Sequence, residues 1–288
     1  MKRILFRLRR IIDPYAKEPD SKLKKPRKKL LLNISKRQKF IISVAFLSVG
    51  LFASEYIFAN YTLVIAFLLG ILTDVCLFVS LYNDLQEELT LKAFILPFLC
   101  SLSFSLFFFL TPARFISRVI LTSLYAIALY SLFLSENIFL VASVRTIALL
   151  NSARIVTFVI TLVSYFFLSN TILSFRLSLL PTVGLFFIIS AVTLLHALWT
   201  YTLERNLLSE KEWVGVLSLC LAELAAIFWF WPTVPTVLAL FLTSALYIFT
   251  GLSHMWFDKR LFRGVIWEYA WVGVFATILL FWFTHWQG

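Results

Sequence analysis

Nine apolar stretches, each long enough to cross a bilayer, fill the chain from residue 40 to residue 286. A helical crossing takes roughly 20 apolar residues. In lipid only helices satisfy their own backbone without closing into a barrel. With 61% hydrophobic and 14% charged residues over 288 positions, the chain has lipid as its main solvent. The segments outside the spans are too short for an independent core, so any chemistry sits among the helices or at their ends.

The spacing predicts spans at 40–58, 61–82, 93–110, 115–134, 153–169, 180–200, 214–231, 234–252 and 266–285. The run between Ser135 and Asn151, which contains Arg145, is apolar but short. Basic residues are retained on the cytoplasmic side of membrane proteins. If this run lies on the surface with the N-terminus inside, 23 basic residues fall inside and 3 outside, namely Arg114, Arg118 and Arg176. If it crosses, Arg205, Lys211, Lys259, Arg260 and Arg263 face outward, so it reads as an interfacial or re-entrant helix. The expected fold is an all-α polytopic bundle of about nine spans plus one interfacial helix, N-terminus inside and C-terminus outside, with eight spans as the rival count. Tryptophan favours both interfaces. On this layout Trp229, Trp231, Trp282 and Trp286 gather outside and Trp199, Trp213, Trp256 and Trp267 inside, while Trp271 lies a turn deeper, as a packing residue.

Two domains follow: a basic tail over 1–39 and a membrane domain over 40–286. The tail holds 15 of the 26 Lys and Arg against 3 acids, a net of +12, whereas the other 249 residues net −1. Residues 2–12 place Ile4, Leu5, Leu8, Ile11 and Ile12 on one arc opposite five basic residues, the pattern of a short helix in the headgroup layer. Pro14, Pro19 and Pro26 punctuate the charged linker that follows. The expected partners are the bilayer itself, anionic headgroups met by residues 1–39, and another membrane protein; nucleic acid is the weaker reading. No cleavable signal peptide is expected.

An ionisable group inside a span costs about 2.5–3.5 kcal/mol even on lenient insertion scales and is a functional candidate by default. Asp74 lies about 12 Å and Glu223 about 13 Å from the inner ends of their spans at 1.5 Å per residue, with His196 about one turn in. If their helices are neighbours, Asp74 and Glu223 can share a proton or bind a cation, with His196 as relay. The alternative is two neutral acids bonded to Ser or Thr of adjacent helices. Glu55 and Arg118 lie at comparable outer depth, as a pair or with Arg118 snorkelling. Asp84, Glu87 and Glu88 share a helical face in an inner loop. Cys76, Cys100 and Cys220 lie in separate spans, which argues for buried apolar packing over a metal or redox site. Glycine is scarce, at 8 residues, and Pro97 and Pro181 sit near span ends, so broken transporter-type helices are not expected. Zincin, serine-hydrolase, phosphate-loop and paired-Asp transferase signatures are missing, which leans away from an enzyme; no cofactor or metal is indicated.

The stretches SENIFLVASVRTIALLNSAR (135–154), LWTYTLE (198–204), AELAAIFWFWPTVPT (222–236) and EYAWVG (268–273) resemble an uncharacterised family of multi-spanning bacterial membrane proteins, defined as a domain of unknown function. The resemblance covers roughly 95–286. It implies no activity, but it draws attention to Glu136, Asn137, Arg145, Arg154, Glu204, Glu223 and Glu268. Apart from Glu223, these form a candidate polar network at the inner face. The functional reading leans to a transporter-like or lipid-handling protein of the bacterial plasma membrane, with a non-catalytic scaffold or envelope-assembly partner as the alternative and an intramembrane enzyme third. Removing residues 1–30 is expected to weaken binding to anionic liposomes; salt-sensitive binding that is unchanged by the truncation would contradict the role given to the tail.

Overall fold

The computed structural model describes residues 35–58 (side chains to Ser54), 61–81, 91–112, 114–142, 149–203 and 211–284. Among these are nine helices long and apolar enough to cross a membrane: α1 (Lys36–Phe58), α2 (Thr62–Leu81), α3 (Lys92–Leu110), α4 (Phe115–Ala142), α5 (Leu150–Ser174), α6 (Leu179–Thr202), α7 (Lys211–Trp229), α8 (Pro235–Phe257) and α9 (Arg263–Trp282). The fold is all-α, and the expected spans differ from the helices mainly at their ends. The tail, the acidic loop of Asp84, Glu87 and Glu88, and Arg145, Glu204 and Trp286 lie outside the described residues.

The largest difference is at residues 135–151. Rather than forming a helix of its own, the first part of this run prolongs α4 to Ala142, and Leu150 already belongs to α5. No glycine or proline interrupts the chain from Phe115 to Ala142, so the helix has no reason to stop at residue 134. Pro97 lies inside α3 near its start, as expected, five residues beyond Lys92. Proline has no N–H, so the Ala93 carbonyl loses its usual helical donor.

Consecutive helices alternate in direction. Lys36, Lys92, Lys211 and Arg263 each open a helix at one end of the bundle, which we call the basic end. Two apolar cores fill the bundle. The first gathers Leu47, Leu77, Phe104 and Leu132 from α1 to α4, and the second gathers Phe186, Leu221 and Leu246 from α6 to α8. α5 serves both: Ile160 and Phe167 enter the first, Tyr165 and Ile172 the second. Phe167 stacks on Phe107 with centroids 4.1 Å apart and meets Phe104 edge-on at 4.9 Å. That double duty makes α5 the most enclosed helix.

The tryptophans correct two expectations. Trp199 is 1% exposed and belongs to the interior, whereas Trp271 is 65% exposed and does not pack on the bundle. Trp213 lies against Trp256 at the basic end, and at the other end Trp229 donates to the Leu177 carbonyl at 3.0 Å and Trp231 to Thr284 at 2.7 Å. Arg118 is 8% exposed and lies within the bundle; the side chain of Glu55 is outside the described residues.

α9 packs chiefly on α8, and Gly251 makes the approach feasible, because a Cβ there would collide with the Tyr269 ring. Gly251→Val is expected to destabilise the protein by about 1–3 kcal/mol, the usual range for overpacking, seen as a lowered melting temperature in detergent. An unchanged melting temperature would show that α9 is not seated as described.

Candidate functional site

Glu136 projects from the prolonged end of α4 and His196 from α6. His196 Nε2 and Glu136 Oε1 share a hydrogen bond of 2.9 Å, and neither side chain has any exposed surface. One helical turn toward the basic end, Ala93, Phe139, Ala153 and Trp199, from α3, α4, α5 and α6, form a separate buried apolar cluster. Residues three or four apart lie over one another on a helix. Each member of that cluster therefore has a counterpart one turn deeper: Pro97 above Ala93, Glu136 above Phe139, Thr157 above Ala153 and His196 above Trp199. The carboxyl and imidazole thus lie at a four-helix junction, closed on its basic side by aromatic rings. The Trp199 ring is 5.6 Å from the His196 ring and 6.1 Å from Phe139.

The pair is incompletely satisfied. Glu136 Oε2, His196 Nδ1, Thr157 Oγ1 and Thr193 Oγ1 are buried with no hydrogen-bond partner among the described residues. Most hydroxyls in this bundle are satisfied locally: Thr161 donates to the Thr157 carbonyl at 2.8 Å and Ser105 to that of Ser101 at 2.7 Å. Others join helices, as Ser101 does with Tyr125 at 2.8 Å and Tyr165 with Ser190 at 2.9 Å. The Thr157 hydroxyl, on α5, has neither kind of partner among the described residues. A buried polar atom without a partner costs about 1–3 kcal/mol. Glu136 Oε2 and His196 Nδ1 both carry this cost beside their shared hydrogen bond.

Beside the junction, Arg154 fastens the basic end of α6. Its Nε and Nη2 donate to the Thr200 and Tyr201 carbonyls, both at 3.0 Å, and the guanidinium lies 4.5 Å over the Tyr201 ring. α6 stops here because Leu203 turns into the left-handed region, at φ 50°, leaving its last carbonyls free for Arg154. Tyr201 stacks on His254 of α8 at 3.6 Å, and His254 donates from Nε2 to the Ala197 carbonyl at 3.2 Å. Three helices are thereby tied together at this end.

The structure redistributes the candidates named from sequence. His196 meets Glu136 rather than the pair Asp74 and Glu223. Asp74, on α2, is half-buried; its Oδ1 has no partner among the described residues, and it lies within electrostatic reach of Glu136. Glu223 is exposed on α7, which packs on α6 and α8, while α2 packs on α1 and α3, so Asp74 and Glu223 are not placed together. Arg154 holds backbone carbonyls rather than an acid, and Glu268 is exposed on α9. Of the inner-face network expected of Glu136, Arg145, Arg154, Glu204 and Glu268, Glu136 is interior, Arg154 holds backbone carbonyls and Glu268 is exposed, while Arg145 and Glu204 lie outside the described residues. Cys76, Cys100 and Cys220 are free thiols on α2, α3 and α7. Sequence reasoning missed His254, Tyr201 and Thr157. The first two lie beyond the expected span ends, and a lone threonine in an apolar helix gives no signal.

A family model described as "Protein of unknown function" (DUF5656) matches residues 41–283, extending the resemblance read from the sequence back through the first two helices. No curated protein and no solved structure matches the chain.

Replacing Arg154 by Ala leaves two carbonyls at the end of α6 without their charged donor, which is expected to cost about 1.5–3 kcal/mol per bond at most. Arg154→Lys should recover only part of the loss, because an ammonium cannot span both carbonyls as the guanidinium fork does. Thermal unfolding in detergent checks the order wild type, Lys, Ala; equal stability of the three proteins would refute the clamp.

Proposed function

Because the chain belongs to DUF5656, a family of unknown function, we propose a role from its own residues: a membrane protein that takes up and releases protons at Glu136 and His196 to drive a transporter-like cycle. The observation that carries this reading is the fully enclosed acid–imidazole hydrogen bond with an unpartnered atom on each side. An acid and an imidazole in contact hold a proton in two arrangements: a carboxylate accepting from an imidazole N–H, or a carboxylic acid donating to a neutral ring nitrogen. Adding or removing one proton switches one of the two atoms that have no fixed partner, His196 Nδ1 or Glu136 Oε2, between acceptor and donor. Ionisable groups this deep in a membrane bundle are rare and mark relays in pumps and transporters.

The position of the pair supports coupling. Glu136 belongs to α4, in the first apolar core, and His196 to α6, in the second, so their bond crosses between the cores that α5 joins. A change in protonation there alters a contact between two halves of the bundle, which is what coupled movement requires. Phe139 and Trp199 would then serve as the barrier on the basic side, and Asp74 as an electrostatic modulator of Glu136. The second reading, a scaffold whose pair only fastens helices, is favoured by that same close apolar seal.

We place the protein in a bacterial plasma membrane with its basic end inward, on the strength of Lys36, Lys92, Lys211, Lys259 and Arg263 at one end, and assign residues 1–39 to contact with anionic headgroups.

The test is proton uptake in lipid nanodiscs, followed with an indicator dye as the pH is stepped from about 8 to about 5. Wild type is expected to take up about one proton per chain more than Glu136→Gln. His196→Gln should show the same deficit with its fold intact. Identical uptake by wild type and both variants would leave the scaffold reading standing and remove this one.

A further inference from the structure

A proton that reaches Glu136 and His196 needs a route from water, and the interior is not the same on the two sides of the pair. One turn toward the basic end stand Ala93, Phe139, Ala153 and Trp199, none of which carries a hydroxyl. One turn the other way on α6 is Thr193, three residues from His196, and a further turn on is Ser190. His196, Thr193 and Ser190 are 0%, 2% and 0% exposed, so they line one enclosed face of the helix.

These groups differ from the bundle's ordinary buried hydroxyls, such as that of Thr250, which donates to the Leu246 carbonyl of its own helix at 2.7 Å. Thr193 Oγ1 and His196 Nδ1 have no hydrogen-bond partner among the described residues. Ser190 Oγ turns to another helix and shares a hydrogen bond of 2.9 Å with the Tyr165 hydroxyl of α5. Ser169, one turn further along α5 and also buried, lies against that same hydroxyl. Beyond Ser190 the buried face of α6 carries Phe186, so the row cannot continue there, and Tyr165 carries it over to α5. Side chains lean toward the N-terminus of their helix, which for α5 is the basic end, so the tyrosine ring reaches back to Ser190 from a deeper level. From Ser169, α5 runs only to Ser174, about 8 Å at 1.5 Å per residue.

We propose that Thr193, Ser190, Tyr165 and Ser169 form the route by which protons pass between the Glu136–His196 pair and the end of the bundle opposite the basic one, an inference that rests on the proton site proposed above. A hydroxyl both donates and accepts, so each can take up one proton while giving up another. A proton delivered to His196 Nδ1 comes from the Thr193 side and is replaced in turn through Ser190, Tyr165 and Ser169. One proton enters at the far end for each that arrives at His196, and no charge stays on the row. Residues three apart on a helix have Cβ atoms about 5–6 Å apart, a gap that one water bridges. With the basic end inward, this route opens to the outer side of the membrane.

The experiment is a stopped-flow pH jump from about 8 to about 5 on the full chain in lipid nanodiscs, with an indicator dye recording both the amount and the rate of proton uptake. Thr193→Val and Tyr165→Phe are expected to take up as many protons as wild type, but about tenfold more slowly or worse. Thr193→Ser, which keeps the hydroxyl, should hold the wild-type rate, and so should Thr250→Val, whose lost hydroxyl lies outside the row. Thr193→Val replaces an unpartnered hydroxyl by a methyl group of the same shape and should melt no lower than wild type. Wild-type rates in both Thr193→Val and Tyr165→Phe would overturn the route. So would a slowing shared by Thr193→Ser or Thr250→Val, which marks packing rather than a hydroxyl, or a Thr193→Val whose uptake is lost rather than slowed. Uptake by wild type no greater than by Glu136→Gln would remove the proton site and the route with it. The amount of uptake therefore reports on the site, and the rate on the route.

Discussion

A carboxyl and an imidazole removed from water are each stabilised by the other, and the hydrogen bond between Glu136 and His196 imposes that condition on α4 and α6. Breaking a buried pair by removing one partner costs about 3–5 kcal/mol, far more than any single apolar contact in the bundle. The neighbouring features follow from keeping it intact. α4 must run past its expected end to carry Glu136 inward, α6 must end in register so that His196 meets it, and Phe139 and Trp199 must fill the turn between the pair and the basic end.

The rest of the architecture is organised around α5. Helix backbones satisfy themselves in lipid, so differences between helices come from side chains alone. α5 directs Ile160 and Phe167 to one side, Tyr165 and Ile172 to the other, and Thr157 to the junction. With few glycines available, close helix approach is confined to a few positions, and aromatic packing does the remaining work, as where Phe167 stacks on Phe107. At the basic end Arg154, Tyr201 and His254 join α5, α6 and α8 through backbone carbonyls and stacked rings. In the proposed cycle this clamp is the fixed element and the Glu136–His196 contact beside it is the one that answers to charge.

Much of the fold was legible because hydropathy in a membrane chain is a nearly direct readout of helix position, and the nine stretches became nine helices. The site was legible only in fragments. His196 and Glu136 were both recognised as polar residues in unusual places, but they were assigned to different layers because the fourth span was ended at residue 134. The run LFLSENIFLVA contains a buried glutamate within an unbroken helix, whereas its short apolar length and the distribution of basic residues point to the surface. Asp74 and Glu223 sit at similar depth along their own helices, yet depth says nothing of rotation: Asp74 turns partly inward and Glu223 outward. That angle depends on which helices are neighbours, which a single sequence does not contain. Thr157 could not have been singled out at all, since its significance comes only from the residues of three other helices around it.

The most direct test of the central claim is the nitrogen-15 resonance of the His196 ring in lipid nanodiscs, assigned by its loss in His196→Gln. The account predicts that this resonance moves between two hydrogen-bonded states as the pH is lowered from about 8 to about 5, and that it no longer moves in Glu136→Gln. A His196 resonance that holds one position across that range in wild type would contradict the claim that the pair exchanges a proton, and would leave it as a fastening between helices.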